Sequence, residues 1–364
     1  MSYVLAFLGF VALIILHEFG HFAVAKAVGM RVERFSLFMG PLLVKFRRGE
    51  TEYGIGPFPI GGYVRITGMN PHEEISPEVV PRAYYNQPVW KRIVVILAGP
   101  AMNLLIAFAI VWALVMSAGQ PATSHGQPVL NKDVASVAEK SPAAAVLKPG
   151  DQIVSVDGAS GSAVAIRNQI GTHRCAGAQT NGCAAATPAK VVVRRNGQLM
   201  TLEIRPRYVA ADKRVEVGFS FGQVTHPVGA LDAVSITTSN LWSVTTRTVS
   251  TVARIFEPQE RKQLHSIVYG YSATQESFAT SITQALWVLA LISLSLAIIN
   301  LFPFLPLDGG HVFWAVAEKV RGKRIPFEVM ERAGVVGFVL ILMIFVIGLT
   351  NDISTLSGPG IGLR

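Results

Sequence analysis

The segment His17-Glu18-Phe19-Gly20-His21 lies inside an apolar stretch that runs from Val4 to Val28. A His-Glu-x-x-His pentad on a helix places two imidazoles four residues apart on one face, where both can bind one zinc ion. The intervening glutamate can accept a proton from a water molecule at that metal. Ionisable side chains within an apolar span are costly to bury and are usually functional. The sequence therefore predicts zinc-dependent hydrolysis inside a lipid bilayer.

The composition of the 364-residue chain is typical of an integral membrane protein with one soluble insert. Hydrophobic residues make up 51% of the chain and charged residues 15%, and the mean hydropathy is +0.43. The formal net charge is +9, but the basic residues concentrate beside apolar stretches, which favours membrane topology over nucleic-acid binding. No phosphate-binding loop and no dinucleotide fingerprint occurs in the sequence.

Four apolar stretches are long enough to cross a membrane as helices. We predict spans at about residues 3–28, 93–118, 284–307 and 333–350. The first carries the pentad and has no Ala-x-Ala-like end, so it is not predicted to be a cleaved signal peptide. Basic residues crowd the loops 29–92 and 309–332, which the positive-inside rule places in the cytoplasm. Both termini and the long region between the second and third spans are then extracytoplasmic.

The regions between the spans have patterns of their own. Residues 31–66 are strand-like with glycine and proline breaks, which predicts a β-hairpin region. It is either a surface hairpin or an edge strand that holds an extended peptide near the active site. Residues 127–207 are predicted to form a compact β-rich domain with hairpins. Residues 228–283 are predicted as an amphipathic helix, on the membrane face or against the bundle, followed by a polar, mobile linker.

The chain contains two cysteines, Cys175 and Cys183, and both fall in a glycine-rich loop of the outer region. An oxidising compartment permits a local disulfide between them. Two free thiols are the alternative. A zinc site at these cysteines is disfavoured because only His173 lies nearby in the sequence.

Two histidines leave a catalytic zinc ion one protein ligand short. The best candidate is Asp308, which follows the third span in the segment Asn300 to Gly310. Pro303 and Pro306 must break the helix there, and irregular backbone at membrane depth is tolerated only where it packs within protein or lines a wet cavity. Two histidines, one aspartate and a water molecule form the ligand set of a catalytic zinc site. Capping of the following helix is the alternative role of Asp308.

Asn103 is a polar side chain at depth in the second span. It follows Gly99-Pro100, a pair that can kink a helix or let another helix approach. An interhelical hydrogen bond is one role compatible with this position. The other is the orientation of bound substrate or of a metal-site group, and the sequence does not choose between them.

These motifs together resemble those of the site-2 protease family of intramembrane zinc metalloproteases, in the bacterial branch that includes the sigma-E regulator protease. The resemblance covers nearly the whole chain. It rests on five motifs in the family's order: His17-Glu18-x-x-His21, Gly61-Gly62-Tyr63-Val64, Gly99-Pro100-x-x-Asn103, a PDZ-like start from Pro142 to Gly158, and Asn300-x-x-Pro303 through Gly310.

The resemblance implies a polytopic α-helical membrane protein with about four transmembrane helices, a membrane-associated β-hairpin region and one extracytoplasmic β-rich PDZ domain. Residues 1–118 and 284–350 would form the two halves of the protease core, in the inner (plasma) membrane. The implied activity is that of a zinc metalloendopeptidase that cleaves transmembrane segments, with Glu18 as general base. The implied ligands of Zn²⁺ are His17, His21 and Asp308, and the implied substrate-binding residues are Asn103, Asn300, Gly61 and Gly62.

The resemblance also implies partners. Substrates would be single-span membrane proteins such as anti-sigma factors, shortened first by an upstream site-1-type protease in regulated intramembrane proteolysis. The PDZ domain would act as a size filter or bind a newly exposed C-terminus, although this chain has one such domain where gram-negative members have two. The alternative is a non-catalytic membrane scaffold that recruits partners through its PDZ domain. Loss of Glu18 or of a ligand would favour that hypothesis, and all four residues are present.

Overall fold

The structure of the protein is a computed structural model, which describes residues 1–69, 73–124, 127–138, 141–210, 213–254, 257 and 266–356. The chain forms two compact units. The first combines Met1–Met116 with Gly229–Arg364, and the second is Ser117–Val228. The first unit contains the apolar helices and a small sheet, and the second is a β-rich domain.

Long apolar helices dominate the first unit. Among the described residues, four helices are long and apolar enough to cross a membrane, as the sequence predicts: α1, α2, α6 and, within α8, Glu328–Ile353. The helices of this unit are α1 (Ser2–Ala27), α2 (Val89–Ala118), α4 (Ala230–Ala253), α5 (Ile267–Thr280), α6 (Ile282–Asn300), α7 (Asp308–Arg321) and α8 (Phe327–Leu356).

The predicted end of the third span is wrong. Its helix, α6, stops at Asn300 and does not continue to residue 307. Pro303 and Pro306 lack the N–H that a helix interior needs, so the chain turns irregularly until α7 begins at Asp308. This turn places the carboxylate of Asp308 at the start of a new helix and not at the end of the span.

The prediction of a linker throughout the segment after α4 is also wrong. Residues 258–265 of that segment lie outside the described residues, but α5 occupies Ile267–Thr280. Ser266 caps α5 by accepting a hydrogen bond from the Val268 N–H, and Asp352 of α8 accepts one from the Ser266 N–H. The second of these contacts joins residues 86 positions apart, so no local pattern could have indicated it.

A four-stranded mixed sheet packs against α1. Phe22 of α1 meets Phe35 and Tyr53 edge-on, with ring centres 5.2 and 5.9 Å apart. The strand order is β2-β3-β1-β4, with β1 and β3 parallel and the other neighbours antiparallel. The β-rich prediction for residues 31–66 is thus confirmed, and β4 forms one edge. The strands are β1 (Val32–Met39), β2 (Val44–Arg48), β3 (Thr51–Ile55) and β4 (Phe58–Ile66).

The second unit has a hydrophobic core of its own, built from side chains such as Ile153, Ile166 and Val191. Its main sheet has the order β11-β10-β9-β8-β14. The predicted range 127–207 omits β14, which pairs with β8 only through long-range contact. The elements are β5 (Gln120–Pro121), β6 (Thr123–Ser124), β7 (Gln127–Pro128), β8 (Leu130–Val137), β9 (Gln152–Val156), α3 (Ala163–Ile170), β10 (Ala189–Arg195), β11 (Gln198–Ile204), β12 (Arg207–Val209), β13 (Arg214–Glu216), β14 (Phe219–Gln223) and β15 (Thr225–His226).

Two local predictions for this unit are matched by the structure. Strands β10 and β11 form a hairpin whose turn is Asn196-Gly197, and both turn residues have positive φ (51° and 82°). Such values suit a two-residue hairpin turn, which asparagine and glycine adopt readily. Cys175 and Cys183 form a disulfide, which selects one of the two alternatives that the sequence left open.

Candidate metal centre

The two pentad histidines lie on one side of α1, as their four-residue spacing requires. Their rings meet edge to face, with centres 5.0 Å apart. His21 is buried, and His17 is only partly exposed. Burying two imidazoles in an apolar helix costs free energy unless their polar ring nitrogens have partners. Because the two rings are so close together, we expect them to share a partner.

Asp308 brings a carboxylate to both imidazoles. Its Oδ2 atom lies 3.4 Å from His17 Nε2 and 3.4 Å from His21 Nε2. A tetrahedral zinc ion with bonds of about 2.1 Å holds its ligand atoms about 3.4 Å apart. Among the described residues, buried Asp308 Oδ2 has no hydrogen-bond partner. The three side chains therefore fit a zinc ion with one position left for water or substrate, and they form the one such group found in the described part of the chain.

Helix α2 orients His21 and makes room for both rings. His21 Nδ1 lies 2.8 Å from the carbonyl oxygen of Val95, to which it donates its proton, so Nε2 is left free to bind a metal. Gly99 faces the rings directly. A Cβ atom at Gly99 would lie 2.8 Å from His17 Cε1 and 2.6 Å from His21 Cε1, and closer still to His21 Nε2. Glycine is therefore required here for close approach.

Asn103 lies one turn further along α2 and is fully buried. Its side-chain amide lies 3.1 Å from His17 Nδ1, and its backbone oxygen accepts a hydrogen bond of 2.8 Å from Ser293 Oγ of α6. The atom nearest to the ring is the amide nitrogen, Asn103 Nδ2, and Asn103 Oδ1 is buried without a hydrogen-bond partner among the described residues. A histidine that binds a metal through Nε2 carries its proton on Nδ1, and a half-turn of the amide would then present Oδ1 as the acceptor. The structure places Asn103 against the imidazole of His17, a candidate metal ligand, and away from any exposed surface.

The remaining predicted site residues are only partly brought together. Gly62 of β4 is adjacent to the pentad, since a Cβ atom there would lie 2.8 Å from Glu18 Cγ. A Cβ atom at Gly61 would instead face the side chain of Met39, and the Gly61 φ of 146° favours glycine. Asn300 ends α6, eight residues before Asp308, and is half-buried.

Sequence reasoning missed two features of the site. The carbonyl of Val95 carries no side-chain signal, so its role in holding His21 could not be anticipated. Arg92 and Glu318 form a two-pronged ion pair between α2 and α7. Because Arg92 lies at the end of a span, the positive-inside rule already accounts for its charge, and nothing in the sequence indicated an ion pair with Glu318.

Comparison with known proteins agrees with this geometry. The sequence profile of Peptidase family M50 matches residues 5–344. The chain is 33% identical over 343 residues to zinc metalloprotease Rip1 of Mycobacterium tuberculosis H37Rv, covering 84% of this chain and 83% of that protein. It is 29% identical over 359 residues to a putative zinc metalloprotease of Clostridium perfringens, covering 97% of this chain and 98% of that protein. The PDZ domain of the SdrC-like protein from Listeria innocua is similar at 20% identity, over 28% of this chain and 99% of that one, with a TM-score of 0.21.

The chain therefore belongs to peptidase family M50. It is an intramembrane zinc metalloprotease, as the resemblance to the site-2 protease family implied. Nothing in these comparisons supports the alternative of a non-catalytic scaffold.

Proposed function

We propose that this enzyme cleaves the transmembrane segments of single-span membrane proteins, with zinc held by His17, His21 and Asp308 and with Glu18 as the general base. The observation that carries the proposal is the convergence of two Nε2 atoms and Asp308 Oδ2 beside helices that are apolar enough to span a bilayer. A site of this kind needs substrates that are themselves in the membrane.

The residues divide the chemistry between them. When bound, zinc supplies a Lewis acid that polarises the scissile carbonyl and eases deprotonation of water. The Glu18 carboxylate takes one proton from the attacking water and delivers it to the amide nitrogen that leaves. Val95 and Asn103 keep the Nε2 atoms of the histidines directed at the site. One peptide bond and one water molecule thus become a carboxylate and an amine.

Strand β4 supports a route for substrate capture. A transmembrane helix hides its scissile carbonyl in backbone hydrogen bonds, so it must unwind before it can be cut. Among the described strands β4 has only β1 as a neighbour, and an edge strand can take up an extended peptide by strand addition. Gly62 holds β4 against Glu18, so a peptide on that edge would lie near the general base. Asn300 and Gly61 would contact the same unwound segment.

The topology that we propose places the loops 29–92 and 309–332 in the cytoplasm and the second unit, as a PDZ domain, outside an inner (plasma) membrane. The basic residues of both loops support this orientation. The disulfide of the second unit supports an oxidising compartment. The outer domain would restrict access to anti-sigma factor-like substrates that a site-1-type protease has already shortened.

A comparison of wild type with Glu18→Gln tests the proposal. Purified full-length protein in detergent is incubated with a panel of single-span reporters, and zinc content is measured for both proteins. We expect cleavage by wild type only, with zinc retained in the variant, because glutamine preserves the shape of Glu18 but cannot accept the proton. Cleavage by Glu18→Gln, or no cleavage of any reporter by zinc-loaded wild type, would contradict the proposal.

A further inference from the structure

The three candidate ligands come from two distant parts of the chain. His17 and His21 lie on α1 and are oriented by α2, whereas Asp308 begins α7. The geometry of the site therefore depends on how α7 is held relative to α2. A zinc site tolerates little displacement of one ligand, because bond lengths are set to within about 0.2 Å.

The start of α7 is anchored by close backbone packing. A Cβ atom at Gly310 would lie 2.5 Å from the Leu305 backbone nitrogen, and one at Gly309 would meet the Leu301 carbonyl oxygen. These contacts fix the position of the first turn. They do not by themselves fix the direction of the helix axis, which needs a second anchor further along α7.

Arg92 and Glu318 supply that second anchor. Arg92 Nη1 donates to Glu318 Oε2 at 3.0 Å, and Arg92 Nη2 donates to Glu318 Oε1 at 2.8 Å. Their side chains are only 10% and 20% exposed, and the guanidinium lies 6.0 Å from the centre of the Tyr84 ring. Two parallel hydrogen bonds from a planar guanidinium define both distance and angle between the groups they join.

The position of the pair along each helix suits this task. Arg92 lies one turn before Val95, whose carbonyl holds His21, so the same end of α2 contacts one ligand and anchors the helix of another. Glu318 lies ten residues after Asp308, about 15 Å along α7 at the rise of an α-helix. Anchors at both ends of this length determine where the Asp308 carboxylate points.

We propose that Arg92 and Glu318 are a positioning pair that sets Asp308 against the two histidines and thereby sets the affinity of the site for zinc. This role for the pair rests on the zinc site proposed above. Stability alone is a poor explanation, because apolar side chains of similar volume often replace a buried ion pair without loss of stability. What apolar side chains do not reproduce is the directional, two-pronged contact.

The test uses full-length protein in detergent and measures the zinc dissociation constant by chelator competition together with the thermal unfolding temperature. Glu318→Gln keeps the shape of the side chain but weakens the pairing, and it should weaken zinc binding on the order of 10-fold. The double variant Arg92→Met/Glu318→Met should regain the unfolding temperature of wild type while zinc binding stays weak.

The matched control is Glu50→Gln. Glu50 also accepts two hydrogen bonds from one guanidinium, that of Arg82, and both are 2.8 Å long. This ion pair joins elements of the N-terminal half only. This variant should bind zinc as wild type does.

Three results would overturn the assignment. Unchanged zinc affinity in Glu318→Gln would show that the pair does not position Asp308. Recovery of zinc affinity in the double methionine variant would show that the pair acts only as a structural contact. Equal weakening of zinc binding in Glu50→Gln would show that the effect of Glu318→Gln is nonspecific. Wild type that binds no zinc would contradict the proposed function itself, which separates that failure from the other three.

Discussion

Asn103 and His17 meet across the packing of α1 on α2, where the fully buried amide of Asn103 lies 3.1 Å from Nδ1 of the imidazole. His21 makes the equivalent contact with a backbone carbonyl, that of Val95. One helix thus sets the orientation of both histidines of its neighbour. The side chain of Asn103 is the one element of this arrangement that a substitution can remove without disturbing the backbone.

Substitution of Asn103 should act on the metal and not on the fold alone. Asn103→Ala removes the acceptor for His17 Nδ1, and loss of such a partner typically weakens metal binding 10–100-fold, so we expect about that change in the zinc dissociation constant. Asn103→Asp retains an acceptor and should bind zinc well. Chelator competition measures both, and Ser293→Ala, which removes only the bond to the Asn103 backbone oxygen, is the control. Equal zinc affinity in Asn103→Ala and wild type would refute this role.

Gly99 should not tolerate a methyl group. In Gly99→Ala the new Cβ would lie 2.6 Å from His21 Cε1, so the rings must move and zinc content should fall sharply. Gly334 of α8 is the matched control, because the nearest atom to a Cβ there is 3.7 Å away, in Leu305. Zinc content of the two purified variants, each monitored by size-exclusion chromatography, decides the matter. A zinc-loaded Gly99→Ala protein would show that the rings do not occupy these positions.

Gly62→Ala tests the approach of β4 to Glu18, the proposed general base. The added Cβ would lie 2.8 Å from Glu18 Cγ and 2.9 Å from the Ser36 carbonyl oxygen. Displacement of a reacting group by about 1 Å can cost on the order of 100-fold in rate, so we expect kcat to fall by up to that factor. Zinc content should stay unchanged, because Gly62 does not touch the ligands. Gly270→Ala, with its nearest atoms at 3.9 Å, should leave kcat unaltered.

The second unit should lose stability in acid. Arg195 donates hydrogen bonds to both carboxylate oxygens of buried Asp151, and this pairing lowers the pKa of Asp151 below its ordinary value. A carboxylate with a lowered folded-state pKa adds stability above the unfolded pKa of about 3.9, and this stability is lost as the pH falls through the folded pKa. Unfolding temperatures of the full chain between pH 7 and pH 2 should therefore decline below about pH 4.

Arg195→Met provides the contrast. Removing one partner of a buried pair costs about 3 kcal/mol, so the variant should be less stable at pH 7 and should lose part of its dependence on acid. Arg194→Met, which breaks only an exposed bond to Gln152, is the control. An acid profile of Arg195→Met that matches wild type would assign the effect to another carboxylate.

Local patterns were sufficient for much of the architecture. The existence of α1, α2 and α8 follows from apolar stretches, although α8 extends beyond the predicted span at both ends, and the β10–β11 hairpin follows from Asn196-Gly197 between alternating strands. Helix α5 escaped prediction because its sequence contains several serine and threonine residues and one glycine, and because part of its support comes from Asp352 of α8. Strand β14 escaped because it joins the sheet beside β8, more than 80 residues earlier in the chain.

The sequence by itself determined which side chains could form the site. Four-residue spacing on a helix puts His17 and His21 on one face, and prolines at depth force a break just before Asp308, since both effects act within a few residues. Only the tertiary structure decided what aims these groups. The contacts of His21 with Val95, His17 with Asn103 and Arg92 with Glu318 span 74, 86 and 226 residues. Contacts of this range depend on how whole helices pack, and no local periodicity encodes that packing.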